Sequence, residues 1–206
     1  MIAVIDYGVG NLFSISSSLD FIGIENVITD RADVLKKADK IILPGVGAFE
    51  DAMNKLKATG LIPALNKEVA SGKPLLGICL GMQLLFDVSY EYGEHKGLSY
   101  INGKVKSLKK AFEDAQLNLK VPHMGWNSLI FQNSSCPLLK NIKEGEYVYF
   151  VHSFYAAECC ESVAAFSRYG IDVSAIVQKN NVFGTQFHPE KSGRIGLNIL
   201  KNFCSL

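Results

Sequence analysis

Cys79 stands between two glycines in the run Leu75-Leu76-Gly77-Ile78-Cys79-Leu80-Gly81-Met82-Gln83. The apolar residues before it have the character of a buried strand, and those after it fall into neighbouring helical turns. A side chain at such a strand-to-helix turn is presented at the carboxyl edge of a sheet, and small neighbours let the backbone pack tightly around it. This is the cysteine version of the G-x-S-x-G nucleophile elbow. The N–H of Leu80 would lie at the helix start, where it can face a developing oxyanion or a thiolate. A lone G-x-C-x-G fits a small buried hydrophobe equally well. The decision rests on whether the chain carries a partner for the thiol.

Such a partner stands far along the chain, at Gln186-Phe187-His188-Pro189-Glu190. In extended backbone, residues i and i+2 point the same way. Pro189 fixes its own φ and pushes His188 away from the helical region, so an extended shape is expected. Glu190 can then hold one ring nitrogen of His188 while the other faces a third group, the base-plus-orienter half of a triad. A second glycine turn, Gly45-Val46-Gly47, can supply oxyanion N–H groups. A thiol, an oriented imidazole and an oxyanion turn describe acyl transfer from an amide, ester or thioester; spacing does not name the acyl group. His95, His123 and His152 have no metal-ligand spacing to His188, so no metal is expected. His95 reads as solvated, and His152, inside the apolar run Tyr149 to Tyr155, as a structural or site-wall histidine.

The elements that must position these groups alternate in the first half. Strands are expected at Ile2 to Ile5, at Val27 and Ile28, at Lys40 to Leu43 and at Leu75 to Ile78. Helices are expected near 12–22, 32–38, 49–58 and 61–71, the pattern of a parallel sheet covered on both faces. Binding crevices in such sheets lie at the carboxyl ends of the strands, an edge that Gly45-Val46-Gly47 and Cys79 should share. The turn Asp6-Tyr7-Gly8-Val9-Gly10-Asn11 lacks the third glycine of a dinucleotide loop. After about Ser89 the pattern becomes β-type, with segments expected at 104–108, 117–121, 128–131, 147–155, 163–167, 174–178 and 182–187. A hairpin is expected at Lys179-Asn180-Asn181 and a last helix near 195–203. No linker divides the chain, so residues 1–206 are expected to form one domain.

The composition narrows the function classes. With 206 residues, 48% hydrophobic and 20% charged, the chain is that of an ordinary globular protein. A formal net charge of +1, with no basic run, gives no electrostatic case for nucleic acid or a membrane surface. Five scattered cysteines without C-x-x-C spacing suit a reducing cytosol. The N-terminus reaches Asp6 at once and lacks a basic n-region, so it reads as a strand and the protein as cytoplasmic.

These residues resemble a known family. Pro44-Gly45-Val46-Gly47, Gly77-Ile78-Cys79-Leu80-Gly81-Met82-Gln83 and His188-Pro189-Glu190 look like the three signature blocks of the triad (class I) glutamine amidotransferases, over essentially the whole chain. The Asp6 to Asn11 turn, Val121-Pro122-His123-Met124-Gly125-Trp126-Asn127, Tyr149 to Tyr155 and Lys191-Ser192 narrow the likeness. They resemble the glutaminase subunits of imidazole glycerol phosphate synthases, from histidine biosynthesis. The resemblance implies a flavodoxin-like three-layer α/β/α fold, with a mostly parallel sheet and an antiparallel extension in the second half. It implies hydrolysis of L-glutamine to glutamate and ammonia without a cofactor. The ammonia would pass to a separate (β/α)8-barrel cyclase subunit in a heterodimer, which makes imidazole glycerol phosphate and an aminoimidazole carboxamide ribotide. By the same resemblance Cys79 is the nucleophile, His188 the general base and acid, and Glu190 its orienter. Gly45, Val46, Gly47 and Leu80 hold the oxyanion, and Gln83, Ser153 and Phe154 bind glutamine. His123, Met124, Trp126, Asn127 and Lys191 lie at the barrel interface. Relatives outside this subfamily often carry Asn at the position of Val151. Two other readings stay open on the sequence: a glutaminase serving a different acceptor synthase, and a catalytically idle binding subunit, whose mark would be a broken triad.

Overall fold

The computed structural model describes residues 1–206. Its strands are β1 (Ile2–Ile5), β2 (Asn26–Thr29), β3 (Lys40–Leu43), β4 (Leu75–Ile78), β5 (Val88–Ser89), β6 (His95–Lys96), β7 (Lys104–Ser107), β8 (His123–Ser128), β9 (Ile130–Phe131), β10 (Tyr147–His152), β11 (Phe154–Ala157), β12 (Val163–Tyr169), β13 (Ile171–Lys179) and β14 (Val182–Thr185). Its helices are α1 (Leu12–Phe21), α2 (Ala32–Lys37), α3 (Phe49–Ala58), α4 (Ile62–Ala70), α5 (Leu80–Gln83), α6 (Leu108–Asp114) and α7 (Gly193–Cys204).

The main sheet runs β2-β1-β3-β4-β14-β13-β12-β9. The first five strands are mutually parallel, and the pairs from β14 onward are antiparallel. Period-2 alternation divides β1, β3 and β4 between two cores. Ala3, Ile5, Ile41, Leu43 and Leu75 face Leu35, Phe49, Leu56 and Leu65 of α2, α3 and α4. Ile2, Val4, Ile42, Leu76 and Ile78 face Ile15, Leu19, Ile199 and Phe203 of α1 and α7. Helices thus cover both faces, the flavodoxin-like three-layer arrangement with the antiparallel extension that the resemblance implies. A two-stranded ribbon β10-β8 and a four-stranded sheet β11-β7-β5-β6 stand outside the main sheet.

Four differences from the sequence reading have local causes. Residues 117–121 alternate like a strand but form none, and Leu117 and Leu119 instead pack against the turn at Gly170. Helix α6 falls in a stretch expected to hold only β-type segments, and the Ser107 side chain caps it by accepting from the Lys110 N–H. The run 147–155 breaks at Ser153 into β10 and β11, which join different sheets. The helix after Cys79 is a single turn, and the chain then leaves through Leu84.

Candidate active site

Four loops meet at the carboxyl edge of the parallel strands: those after β1, β3, β4 and β14. Cys79 lies at the turn out of β4 with φ 54° and ψ −110°, a conformation that non-glycine residues rarely adopt. Its N–H donates to the Thr185 carbonyl at 2.7 Å, which ties the elbow to the neighbouring strand β14. Glycines let the backbones around it close up. A Cβ at Gly81 would stand 1.9 Å from the Leu43 carbonyl oxygen, and one at Gly45 2.6 Å from the Gly81 nitrogen. The Pro44-Gly45 peptide therefore rests directly on the Leu80-Gly81 peptide. From the far side, the buried Tyr7 hydroxyl donates to the Pro44 carbonyl at 2.6 Å.

His188 and Glu190 are brought together, by a route other than the one expected. Glu190 belongs to a 3-10 turn, Pro189 to Lys191, and not to an extended run. Proline tolerates the first position of such a turn, where an N–H has no partner to lose. Within it His188 Nδ1 sits 2.8 Å from Glu190 Oε1, both side chains almost fully buried. Ser192 fixes the histidine from behind, donating to the His188 carbonyl at 2.6 Å while accepting the Tyr149 N–H at 3.0 Å. Burial works against charge on His188, but hydrogen bonds to Cys79 and Glu190 outweigh it and raise the imidazole to about 9. With Glu190 on Nδ1, Nε2 is the nitrogen left for the thiol.

A cleft of about 250 Å³ opens in front of the thiol, lined by Gly47, Cys79, Leu80, Gln83, Glu91, Pro122, Val151, His152, Ser153 and Phe154. Leu80 opens α5, so its N–H has no helical acceptor. Of the glycine turn only Gly47 borders the cleft; Gly45 lies behind it and the Val46 side chain points outward, 41% exposed. The Ser153 carbonyl accepts the Leu108 N–H, and the Phe154 carbonyl accepts from Gln83 Nε2 at 2.9 Å.

The sequence reading did not single out Glu91. Its carboxylate accepts the Phe49 N–H at 2.6 Å, capping α3 at the rim of the cleft, and burial pushes its carboxyl upward against that bond and nearby His95. No spacing in the sequence marks it. His95 is not solvated as expected: its side chain is 19% exposed, with Nδ1 3.6 Å from Glu50.

The residues assigned to an interface divide in two. Met124 (65% exposed), Trp126 (55% exposed) and Lys191 are on the surface, and Asn127 is half-buried. His123 points inward, because strand alternation sends it opposite Met124. It is stacked against Phe150 and Tyr169, and its Nδ1 lies 3.0 Å from His152 Nε2. His152 in turn places Nδ1 2.9 Å from the Phe154 carbonyl.

Burial lowers His123 to about 4 and His152 to about 3, with the backbone hydrogen bond to Phe154 only partly opposing the latter. Both rings are neutral at pH 7. In the unfolded chain they would protonate near 6.5, so below that pH the unfolded state binds protons the native state refuses. Stability is expected to fall from pH 6.5 towards 4, by up to about 1.4 kcal/mol per pH unit for each ring. Urea midpoints at pH 7 and pH 5 measure this. The double variant H123Q/H152Q should be less stable at pH 7 yet lose less on acidification.

Residues 3–205 match the family described as glutamine amidotransferase class-I. The chain is 51% identical over 207 residues to the imidazole glycerol phosphate synthase subunit HisH of Geobacillus sp. (strain WCH70), covering all of this chain and 97% of that one. It is 50% identical to the HisH subunit of Bacillus subtilis (strain 168), covering 100% and 96%. Among solved structures it superposes on a glutamine amidotransferase with TM-score 0.76 at 19% identity, covering 100% and 98% of the two chains. With PurLQS from Thermotoga maritima the TM-score is 0.72 at 21% identity, covering 99% and 97%. No helix is long and apolar enough to cross a membrane.

Proposed function

The chain belongs to the class-I glutamine amidotransferases, and from that premise we propose that it is the glutaminase subunit of an imidazole glycerol phosphate synthase. What carries the reading is half-identity over the full length to subunits of that name, joined to a thiol, imidazole and carboxylate set at one sheet edge.

The steps follow from the geometry. The Cys79 thiolate attacks the side-chain carbonyl of L-glutamine, and the carbonyl oxygen, now negative, turns towards the Leu80 N–H and the glycine turn where Gly47 borders the cleft. Nε2–H of His188 gives its proton to the departing nitrogen, the C–N bond breaks, and ammonia leaves a glutamyl thioester. The neutral ring then takes a proton from water. The hydroxide formed attacks the thioester, the sulfur departs as thiolate, and glutamate is released. Glu190 keeps Nδ1 protonated throughout, so Nε2 alone exchanges the proton.

The substrate's other end meets Gln83 and Glu91. Both hydrogens of the Gln83 amide are engaged within the protein, so its oxygen is the free group and takes a donor from glutamine. Glu91 is the carboxylate placed at the cleft to pair with the α-ammonium. Glu91→Gln should raise KM for glutamine about 10- to 100-fold with a smaller change in kcat, since a charged hydrogen bond is lost while the amide oxygen still caps α3. Initial rates over a glutamine series measure it.

Ammonia then passes to a (β/α)8 cyclase subunit. Exposed Met124 and Trp126 supply the apolar part of that contact, Asn127 and Lys191 its polar part, and His123 supports the strip from beneath. Glutamate release with and without the cyclase and its nucleotide ligand tests the assignment. Stimulation by the cyclase is the expected result. Stimulation instead by an unrelated synthetase, or no hydrolysis with any partner, overturns it.

A further inference from the structure

Gln186 is wholly buried, stands two residues before His188, and has an amide whose orientation is set from outside. The Phe154 carbonyl can only accept, and Gln83 Nε2 donates to it at 2.9 Å. The second hydrogen of Gln83 Nε2 goes to Gln186 Oε1 at 3.1 Å. With its oxygen committed, Gln186 is left to turn Nε2 towards Cys79, 3.8 Å from Sγ. Were the Gln186 amide reversed, two NH2 groups would face each other in a site without room for the clash to relax.

We propose that Gln186 is a catalytic residue of this site, one whose amide N–H holds the Cys79 sulfur in its thiolate form. The inference rests on the glutaminase reading for its place in the cycle. A donor aimed at sulfur favours the charged form over the thiol. It serves twice: before attack, when the nucleophile must be a thiolate, and at thioester hydrolysis, when sulfur must leave as one. The same sulfur lies 3.9 Å from the Val151 carbonyl, an acceptor that can hold only the thiol. Gln186 and His188 thus oppose Val151 on one atom. The neighbouring titratable groups are His188 and Tyr7, and the Tyr7 phenol is driven upward by burial and by Cys79, so it stays neutral. His152, which burial and the charges of His123 and His188 hold low, is also neutral at pH 7.

Iodoacetamide alkylation of the Cys79 peptide, followed by mass spectrometry across pH, reads the thiolate directly, on the chain alone and with the cyclase. In Gln186→Met, which keeps the volume and removes the donor, the pH of half-maximal alkylation should rise by about one unit. At pH 7, kcat/KM should fall about tenfold, with KM for glutamine little changed because Gln186 does not line the cleft. Gln186→Glu should move the midpoint further, since it puts a negative acceptor beside the sulfur. A packing role alone would lower thermal stability and leave the midpoint where it was. Superimposable alkylation curves for the wild type and folded Gln186→Met overturn the proposal. If that variant does not fold, Gln83→Met removes the group that orients Gln186, together with a glutamine contact that alkylation does not read, and an unmoved midpoint there overturns it equally. Alkylation does not depend on glutamine. A shifted midpoint in a protein that hydrolyses no glutamine with any partner would discard the proposed function and keep the Gln186 contact; an unmoved midpoint with full wild-type hydrolysis does the reverse.

Discussion

Cys79→Ala is expected to lower glutamine hydrolysis by at least about 10⁴-fold, while the fold and partner binding persist. Losing the nucleophile of a triad removes the covalent route altogether, and what survives is positioning and oxyanion stabilisation of a bare water attack. The substitution should be mild structurally. The side chain is small, Cβ is retained, and the contacts that shape the elbow are backbone ones, from the Cys79 N–H to Thr185 and between the Leu80-Gly81 and Pro44-Gly45 peptides. A thermal melt within a few degrees of wild type, with undiminished co-elution with the cyclase, completes the expected result. Steady hydrolysis in a clean Cys79→Ala preparation would show that another group attacks glutamine.

The second large effect is on the scaffold. Gly81→Ala is expected to destabilise the protein by about 3 kcal/mol or more and to remove activity with it. The added methyl would meet the Leu43 carbonyl at 1.9 Å and the Pro44 carbonyl carbon at 3.0 Å. Neither is a flexible side-chain end that can swing away: both belong to the turn out of β3, so relief must move either that turn or the elbow. Gly145→Ala is the contrasting control. Unlike Gly81 it has a positive φ, but open space surrounds the new methyl, so the substitution should cost only about 1 kcal/mol. Urea unfolding of the three proteins separates steric contact from the strain of a positive φ. Near-equal midpoints for the two variants would mean that the elbow relaxes without cost.

The thiol, its imidazole and the carboxylate were legible in the sequence because each sits at a place where local chemistry is punctuated, by flanking glycines or by proline. Their meeting was not. It depends on β14 pairing with β4, a contact between distant segments that hydrophobic pattern alone does not specify. The parallel half read well because α/β alternation is periodic. The second half read less well because 117–121 alternates without pairing and Ser153 switches the chain between sheets. Glu91 carried no signal at all, since a carboxylate in a loop is usually solvated. Gln186 did carry one: in Gln186-Phe187-His188 the outer two share a side, and a glutamine on the side of a candidate base is a group to examine.

The insertion of β14 between β4 and β13 bears on how the chain acquires its shape during synthesis. A growing polypeptide that has not reached Val182 lacks the strand that joins the parallel half to the antiparallel one, and it has not yet reached His188 or Glu190. Contacts of such sequence separation form late and slowly, after loop-closure entropy has been overcome. The thiol therefore spends translation without its base. An unfinished chain on the ribosome carries an unactivated cysteine, and hydrolytic competence arrives together with the last eighth of the sequence.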